Sequence, residues 1–184
     1  LPIPEKKALV MKLRDPSRVT SVIHRHQMIE EDGQQYLAVP HKTDSFLVLR
    51  NLGINVQGME PIKHLYPYPR LHGRYDPMAH QRSTAEFLST HPRCFVLNEQ
   101  RTGKTSALIW ATDFLMQDKA VSRTLIICTM SNMNKVWADG IFDISPVRTV
   151  GVLHGSKADR LYTLSQDYDY FVINHDGVKV IQEQ

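Results

Sequence analysis

Three consecutive residues, Gly103-Lys104-Thr105, place a flexible backbone, a cation and a hydroxyl in the order that phosphate chemistry uses. They close the stretch Cys94-Phe-Val-Leu-Asn-Glu-Gln-Arg-Thr-Gly-Lys-Thr105, which opens on a short apolar run from Cys94 to Leu97. Ala107, Leu108, Ala111, Phe114 and Leu115 then fall at helical spacing. A strand, a loop and a helix in this order suit phosphate, because backbone N–H groups of Arg101, Thr102, Gly103, Lys104, Thr105 and Ser106 can converge on it. In that arrangement Lys104 reaches the β/γ-phosphates and the Thr105 hydroxyl ligates Mg²⁺. ATP and Mg²⁺ are therefore the expected cofactors. The match to G-x-x-x-x-G-K-[ST] is incomplete, since Asn98 stands where the first Gly belongs. The reading requires the loop to sit at a strand–helix junction.

The elements that must hold this loop can be read on either side of it. A helix is expected from Pro77 to about Thr90, with Gln81 in its first turn. Beyond the loop, Thr124–Cys128 is a continuous apolar run suited to a buried parallel strand. Ser131 is expected to cap a helix through Val136, Trp137 and Ile141. Thr149–Leu153 and Tyr168–Asn174 read as further strands, each followed by a helix. Alternation of this kind predicts an α/β fold with a mostly parallel sheet and helices on both faces. Ligands of such sheets bind beyond the carboxyl ends of the strands. That rule sets Asn98–Thr105, Thr129–Ser131, His154–Ser156 and Asn174–Asp176 on one rim.

Ahead of this lobe (77–184) the pattern predicts a small α+β module over 1–55 and an extended connector over 56–76. Ala8–Arg14, Val19–Ile23 and Gln35–Val39 read as strands, with Glu31-Asp32-Gly33 as a turn and Asp44–Leu52 as a helix. His24-Arg25-His26 reads as a solvated strand end. In the connector, three prolines from Pro61 to Arg70 argue for extended chain, and Tyr66, Tyr68, Arg70 and Arg74 interleave aromatics with charge. That interleaving suits nucleic acid, an adenine face or simple packing across a surface.

Composition narrows the classes. The chain has 184 residues, is 42% hydrophobic and carries a net charge of +3. Residues 1–76 hold 11 Lys/Arg against 8 Asp/Glu, whereas 77–184 hold 11 against 11. The excess positive charge thus lies ahead of the phosphate loop, a hint of nucleic acid contact. No apolar run is long enough to span a membrane, and Leu1-Pro-Ile-Pro-Glu-Lys-Lys is too polar for a signal peptide. Cys94 and Cys128 read as small hydrophobes in a reducing compartment, not as a disulfide or metal pair.

The order of the rim segments resembles the first RecA-like lobe of superfamily 2 helicases, in particular the Swi/Snf-type DNA translocases and their bacteriophage relatives. Asn98-Glu99-Gln100-Arg101-Thr102-Gly103-Lys104-Thr105 is similar to that family's phosphate loop, which begins with an acidic or amide pair. Pro77-Met-Ala-His-Gln81 resembles its upstream glutamine motif, which implies that Gln81 recognises adenine. Leu125-Ile-Ile-Cys-Thr129, Val152-Leu-His-Gly-Ser156 and Tyr170-Phe-Val-Ile-Asn-His-Asp176 resemble the motifs that line the nucleic-acid path. The resemblance implies DNA as partner, contacted without sequence preference through Thr129, Asn132, His154, Ser156, Asn174 and His175. It also implies a cytoplasmic location, in a bacterium or a phage-infected cell. It covers residues 74–182 only. The family's Asp-Glu metal motif and second lobe, with its arginine finger, are not within these 184 residues, so little turnover is expected of this piece alone. Two other readings stay open: a complete small NTPase or kinase-like protein with Asp176 as metal acid, and a DNA-binding accessory protein with a vestigial loop.

Overall fold

The computed structural model describes residues 1–182. The chain forms two compact units, one of residues 1–67 with 86–94 and one of residues 68–85 with 95 onward.

In the first unit β1 (Pro2–Ile3) leads through a 3₁₀ turn into β2 (Ala8–Met11), α1 (Ser17–Thr20), β3 (Gln27–Glu31), β4 (Gln34–Pro40), α2 (Thr43–Asn51) and α3 (Pro61–Leu65). The strands form one antiparallel sheet in the order β1-β2-β4-β3. Asp32 and Gly33 join β3 to β4 with φ values of 52° and 72°, as a two-residue hairpin of the twisted type requires. Leu9 faces Val39 across the ladder, and both lie with Leu37 on the buried face. Val19, Ile23, Phe46, Leu49 and Val56 close this core.

Two expectations fail here for local reasons. Val19–Ile23 is not a strand: Asp15 accepts hydrogen bonds from the Ser17 N–H at 3.0 Å and the Ser17 hydroxyl at 2.5 Å, and a helical turn starts instead. A start signal outweighs a few β-branched residues. The connector is not extended throughout either, because Pro61 opens α3, where its missing N–H costs nothing.

Helix α4 (Ala79–Thr90) follows, and the division between the units falls within it. In the second unit α5 (Lys104–Gln117) precedes β5 (Thr124–Cys128). A 3₁₀ turn at Met130–Asn132 and a π-helical stretch at Met133–Ala138 then feed α6 (Asp139–Ile144). β6 (Val150–Leu153), α7 (Lys157–Ser165), β7 (Tyr170–Asn174) and α8 (His175–Gln182) complete the unit. The sheet is parallel, in the order β5-β7-β6.

All five residues of β7 are buried, as expected of a central strand. Val172 packs with Met133 and Trp137 on one face, whereas Phe171 and Ile173 pack with Val178 and Ile181 of α8 on the other. Helical segments therefore cover both faces. β5, expected to be buried, is an edge strand whose Leu125 and Ile127 are about half exposed. The chain is mixed α/β, with one parallel and one antiparallel sheet.

The apolar run Cys94–Leu97 corrects the expectation most directly relevant to the loop. It has no regular secondary structure and pairs with no strand, and Phe95 and Leu97 are 88% and 89% exposed. Strand propensity describes a fit to a pleated, half-buried surface, and no described strand offers this run such a surface.

Candidate phosphate-binding site and strand-end rim

The loop expected to hold phosphate leads directly into α5. Gly103 is the residue before the helix and adopts φ 77°, a left-handed conformation that glycine tolerates and most residues avoid. Arg101 is also left-handed, at φ 61°. The Thr102 hydroxyl donates to the Glu99 carbonyl at 2.8 Å and holds the turn between them. No side chain caps α5, so the first N–H groups of the helix have no side-chain acceptor. Lys104 and Thr105 are half-buried in this first turn, and Ser106 is buried.

Lys104 Nζ donates to the carbonyls of Asn98 at 2.9 Å and Glu99 at 2.6 Å. The ammonium is thus held within the curve of its own loop. Asn98, where the usual motif has glycine, uses its side chain: Nδ2 donates to Thr84 Oγ1 at 2.9 Å.

Gln81, 9% exposed, is seated against the loop. Its Nε2 donates to the Thr102 carbonyl at 3.3 Å, and its Oε1 accepts from the Met78 N–H at 3.0 Å. A Cβ on Gly103 would lie 2.0 Å from Gln81 Nε2, so a larger residue must bear the left-handed φ and also move the end of the glutamine side chain. His80 Nε2 meets the same Thr102 carbonyl at 3.0 Å. An open recess of about 560 Å³ adjoins these groups, lined by His80, Ser83, Thr84, Asn98, Glu99 and Thr102. His80 and Thr84 are additions that sequence spacing did not single out. The only advance signal was their position one turn apart on the helix that carries Gln81.

Three of the four expected rim segments follow parallel strands and so share the carboxyl end of one sheet. Thr129 and Asn132 are exposed after β5, His154 after β6, and His175 and Asp176 at the start of α8. Two rim side chains are already engaged. Ser156 caps α7 in a reciprocal box: its hydroxyl accepts from the Asp159 N–H, and its own N–H donates to Asp159 Oδ2 at 2.9 Å. The Ser156 hydroxyl and then its N–H hold the Asp159 carboxyl below its ordinary pKa. Asn174 is 5% exposed and accepts at Oδ1 from Arg160 Nη1 at 3.1 Å. Arg160 also donates to the Leu153 and Gly155 carbonyls, tying the loop after β6 to the end of β7. Nothing in the spacing of the sequence marks Arg160 for this role.

The connector aromatics pack. Tyr66 and Tyr68 are 5% and 8% exposed. Tyr68 meets the Trp110 ring edge-on at 6.0 Å, and Trp110 Nε1 donates to the Pro69 carbonyl. These tyrosines do not form an exposed stacking surface.

Among the described residues no group of three or more His, Cys, Asp or Glu side chains is arranged to hold a metal ion. The groups that could hold Mg·ATP are the backbone at Gly103, the N–H groups at the start of α5, Lys104 and the Thr105 hydroxyl. No family model matches the chain, and no curated protein is significantly similar to it.

Proposed function

We propose that this chain is the ATP-binding part of an ATP-dependent DNA helicase or translocase, in which hydrolysis drives movement along DNA. The observation that carries the reading is the left-handed Gly103 at the head of a 14-residue helix, followed by Lys104 and Thr105 and closed from above by Gln81. Bound Mg·ATP would supply the phosphoanhydride and the cation that neutralises it. Backbone N–H groups of the first turn of α5 would hold phosphate oxygens, with the helix dipole aligned to favour their charge. Lys104 would exchange the Asn98 and Glu99 carbonyls for phosphate, a stronger acceptor because it is ionised. Gln81 would select adenine through the amide that now bridges Met78 and Thr102, giving up one of those bonds to do so. Thr129, Asn132, His154 and His175 would contact DNA phosphates along the strand ends, where contacts position a duplex without reading it. Ser156 and Asn174 would act through their neighbours' positions, since their side chains are engaged.

A second reading has specific support. The strand that the helicase reading requires ahead of the loop is not formed, and the loop lysine is satisfied by loop carbonyls. Both features suit a DNA-binding accessory protein with a vestigial loop. Calorimetric titration of Mg·ATP into wild type and Lys104→Ala separates the two. A charge-assisted hydrogen bond contributes about 1.5–3 kcal/mol, so the substitution weakens binding roughly 10–100-fold. Equal binding by both proteins, with DNA binding intact, selects the vestigial loop. Steady-state hydrolysis abolished by Asp176→Ala would instead select a self-sufficient NTPase.

A further inference from the structure

The antiparallel unit carries a groove of about 490 Å³ at one end of its sheet. Its floor is small: Ala8 faces Pro40 across β2 and β4, and Ala38 lies two residues away on the same face. That face is opposite the one bearing Leu9, Leu37 and Val39, so it is the outer side of the sheet. Cationic side chains line the groove from three separate stretches of chain: Lys6 and Lys7 before β2, Arg25 and His26 before β3, and Lys42 after β4. Glu5 is the one carboxylate among the lining residues. Lys6, Lys7, Arg25 and Lys42 are exposed, and none takes part in the ion pairs found among the described residues. The site is also held in shape. Lys7 has a left-handed φ of 46°, with its N–H donating to the Pro4 carbonyl and its carbonyl accepting from the His41 N–H at 2.8 Å. At its other end β3 finishes in Glu30 and Glu31, so charge runs from positive to negative along the strand.

We propose that this groove binds the phosphodiester backbone of a nucleic acid, apart from the nucleotide site. Four permanent cations around a shallow floor of small side chains let a phosphate chain approach closely and be neutralised from both sides. Four cations correspond to about four phosphate contacts, and the acidic end of β3 disfavours more. The lining offers no Phe, Trp or Leu side chain to enter a bilayer, which disfavours a lipid surface. The choice of nucleic acid among polyanions rests on the translocase reading; the cationic groove does not.

The test uses the full chain, a labelled 20-base-pair duplex and the matching single strand, titrated by fluorescence anisotropy from 50 to 200 mM salt. With four phosphate contacts, wild-type affinity falls on the order of 10²-fold across that range. Arg25→Gln/Lys42→Gln flattens the slope of log affinity against log salt by about two, as does Lys6→Gln/Lys7→Gln. Both double variants keep wild-type Mg·ATP binding, and a wild-type circular dichroism spectrum and thermal melt report that the substituted unit folds. An unchanged slope in both overturns the proposal. So does equally tight, equally cation-dependent binding to phosphatidylserine vesicles or to polyglutamate. If Mg·ATP binding ignores Lys104 while the slopes still flatten, the nucleotide reading fails and the groove stands. Comparison of the two DNAs shows which form it prefers.

Discussion

Arg148→Ala lowers the unfolding free energy by about 3–5 kcal/mol, the usual consequence of breaking a buried ion pair from one side. Asp113, on α5, is only 3% exposed. Arg148 Nε donates to its Oδ1 at 2.7 Å, and Arg148 Nη2 reaches its backbone carbonyl at 3.4 Å. On the other side Arg148 Nη1 donates to Asp169 Oδ1 at 3.1 Å. Three segments, α5 and the entries to β6 and β7, are therefore joined by one guanidinium. In the alanine variant Asp113 keeps its bond from Gln117 but loses its counter-ion in a place that water barely reaches. Arg148→Lys recovers part of the loss, since an ammonium cannot serve both carboxylates with the same planar fork.

Acid should erase part of this difference. Burial alone would raise the Asp169 pKa, but hydrogen bonds from the Thr149 N–H and hydroxyl, with the Arg148 charge, outweigh it and hold it below the ordinary value. The folded state therefore binds this proton less readily than the unfolded chain. The stabilisation is complete above the ordinary carboxylate pKa of about 4 and disappears as pH falls through the lowered one. Urea unfolding of both proteins at pH 7 and pH 3 checks this. A gap below about 1 kcal/mol at pH 7 would mean that the triad is a surface pair in its energetics, and a gap that fails to narrow at pH 3 would remove the pH argument.

If the loop binds nucleotide as proposed, Gly103→Ala abolishes useful affinity while leaving the chain folded. Two costs combine at this position. A left-handed residue bearing a Cβ costs about 1–2 kcal/mol. The added carbon would also fall 2.0 Å from Gln81 Nε2 and 3.0 Å from its Cδ, so the glutamine amide must swing aside. Its departure breaks the bonds to Thr102 and Met78 and frees the turn that shapes the loop. Mg·ATP binding falls by roughly 100-fold or more, equivalent to about 3 kcal/mol. A double-mutant cycle with Gln81→Ala separates the costs. If the collision matters, the stability loss of Gly103→Ala shrinks when Gln81 is already gone. Additive losses would leave backbone strain as the whole explanation.

These effects show what the residue pattern could disclose. Helix α5 was legible because its apolar spacing and its opening glycine agree, and β7 because its run Tyr170–Ile173 suits a strand buried on both faces. β5 carries an equally apolar run yet lies at an edge: composition reports what a strand could bury, whereas neighbours decide what it does bury. Phe95 and Leu97 make the same point more strongly, since a strand is completed by hydrogen bonds to residues far away in sequence. At the site, Lys104 and Gln81 were legible from type and position. The engagement of Asn174 by Arg160 was not, because it depends on a helix crossing the sheet end at one particular height. Ser156 stands on the rim, but Asp159 three residues later marks it as a helix cap. The cationic groove escaped for a related reason, as its members come from three stretches that only the sheet register brings together.

The open side of β5 has a bearing on how this protein must be handled. Every second residue of that strand points its N–H and C=O outward, next to the half-exposed Leu125 and Ile127. Edges of this kind are usually guarded by a lysine, a proline or a bulge, and Thr124–Cys128 contains none of them. Identical strands from separate molecules can therefore dock there and stack. Crowding in a concentrated stock would favour that self-association, and the first residues to vanish from solvent would be those of β5.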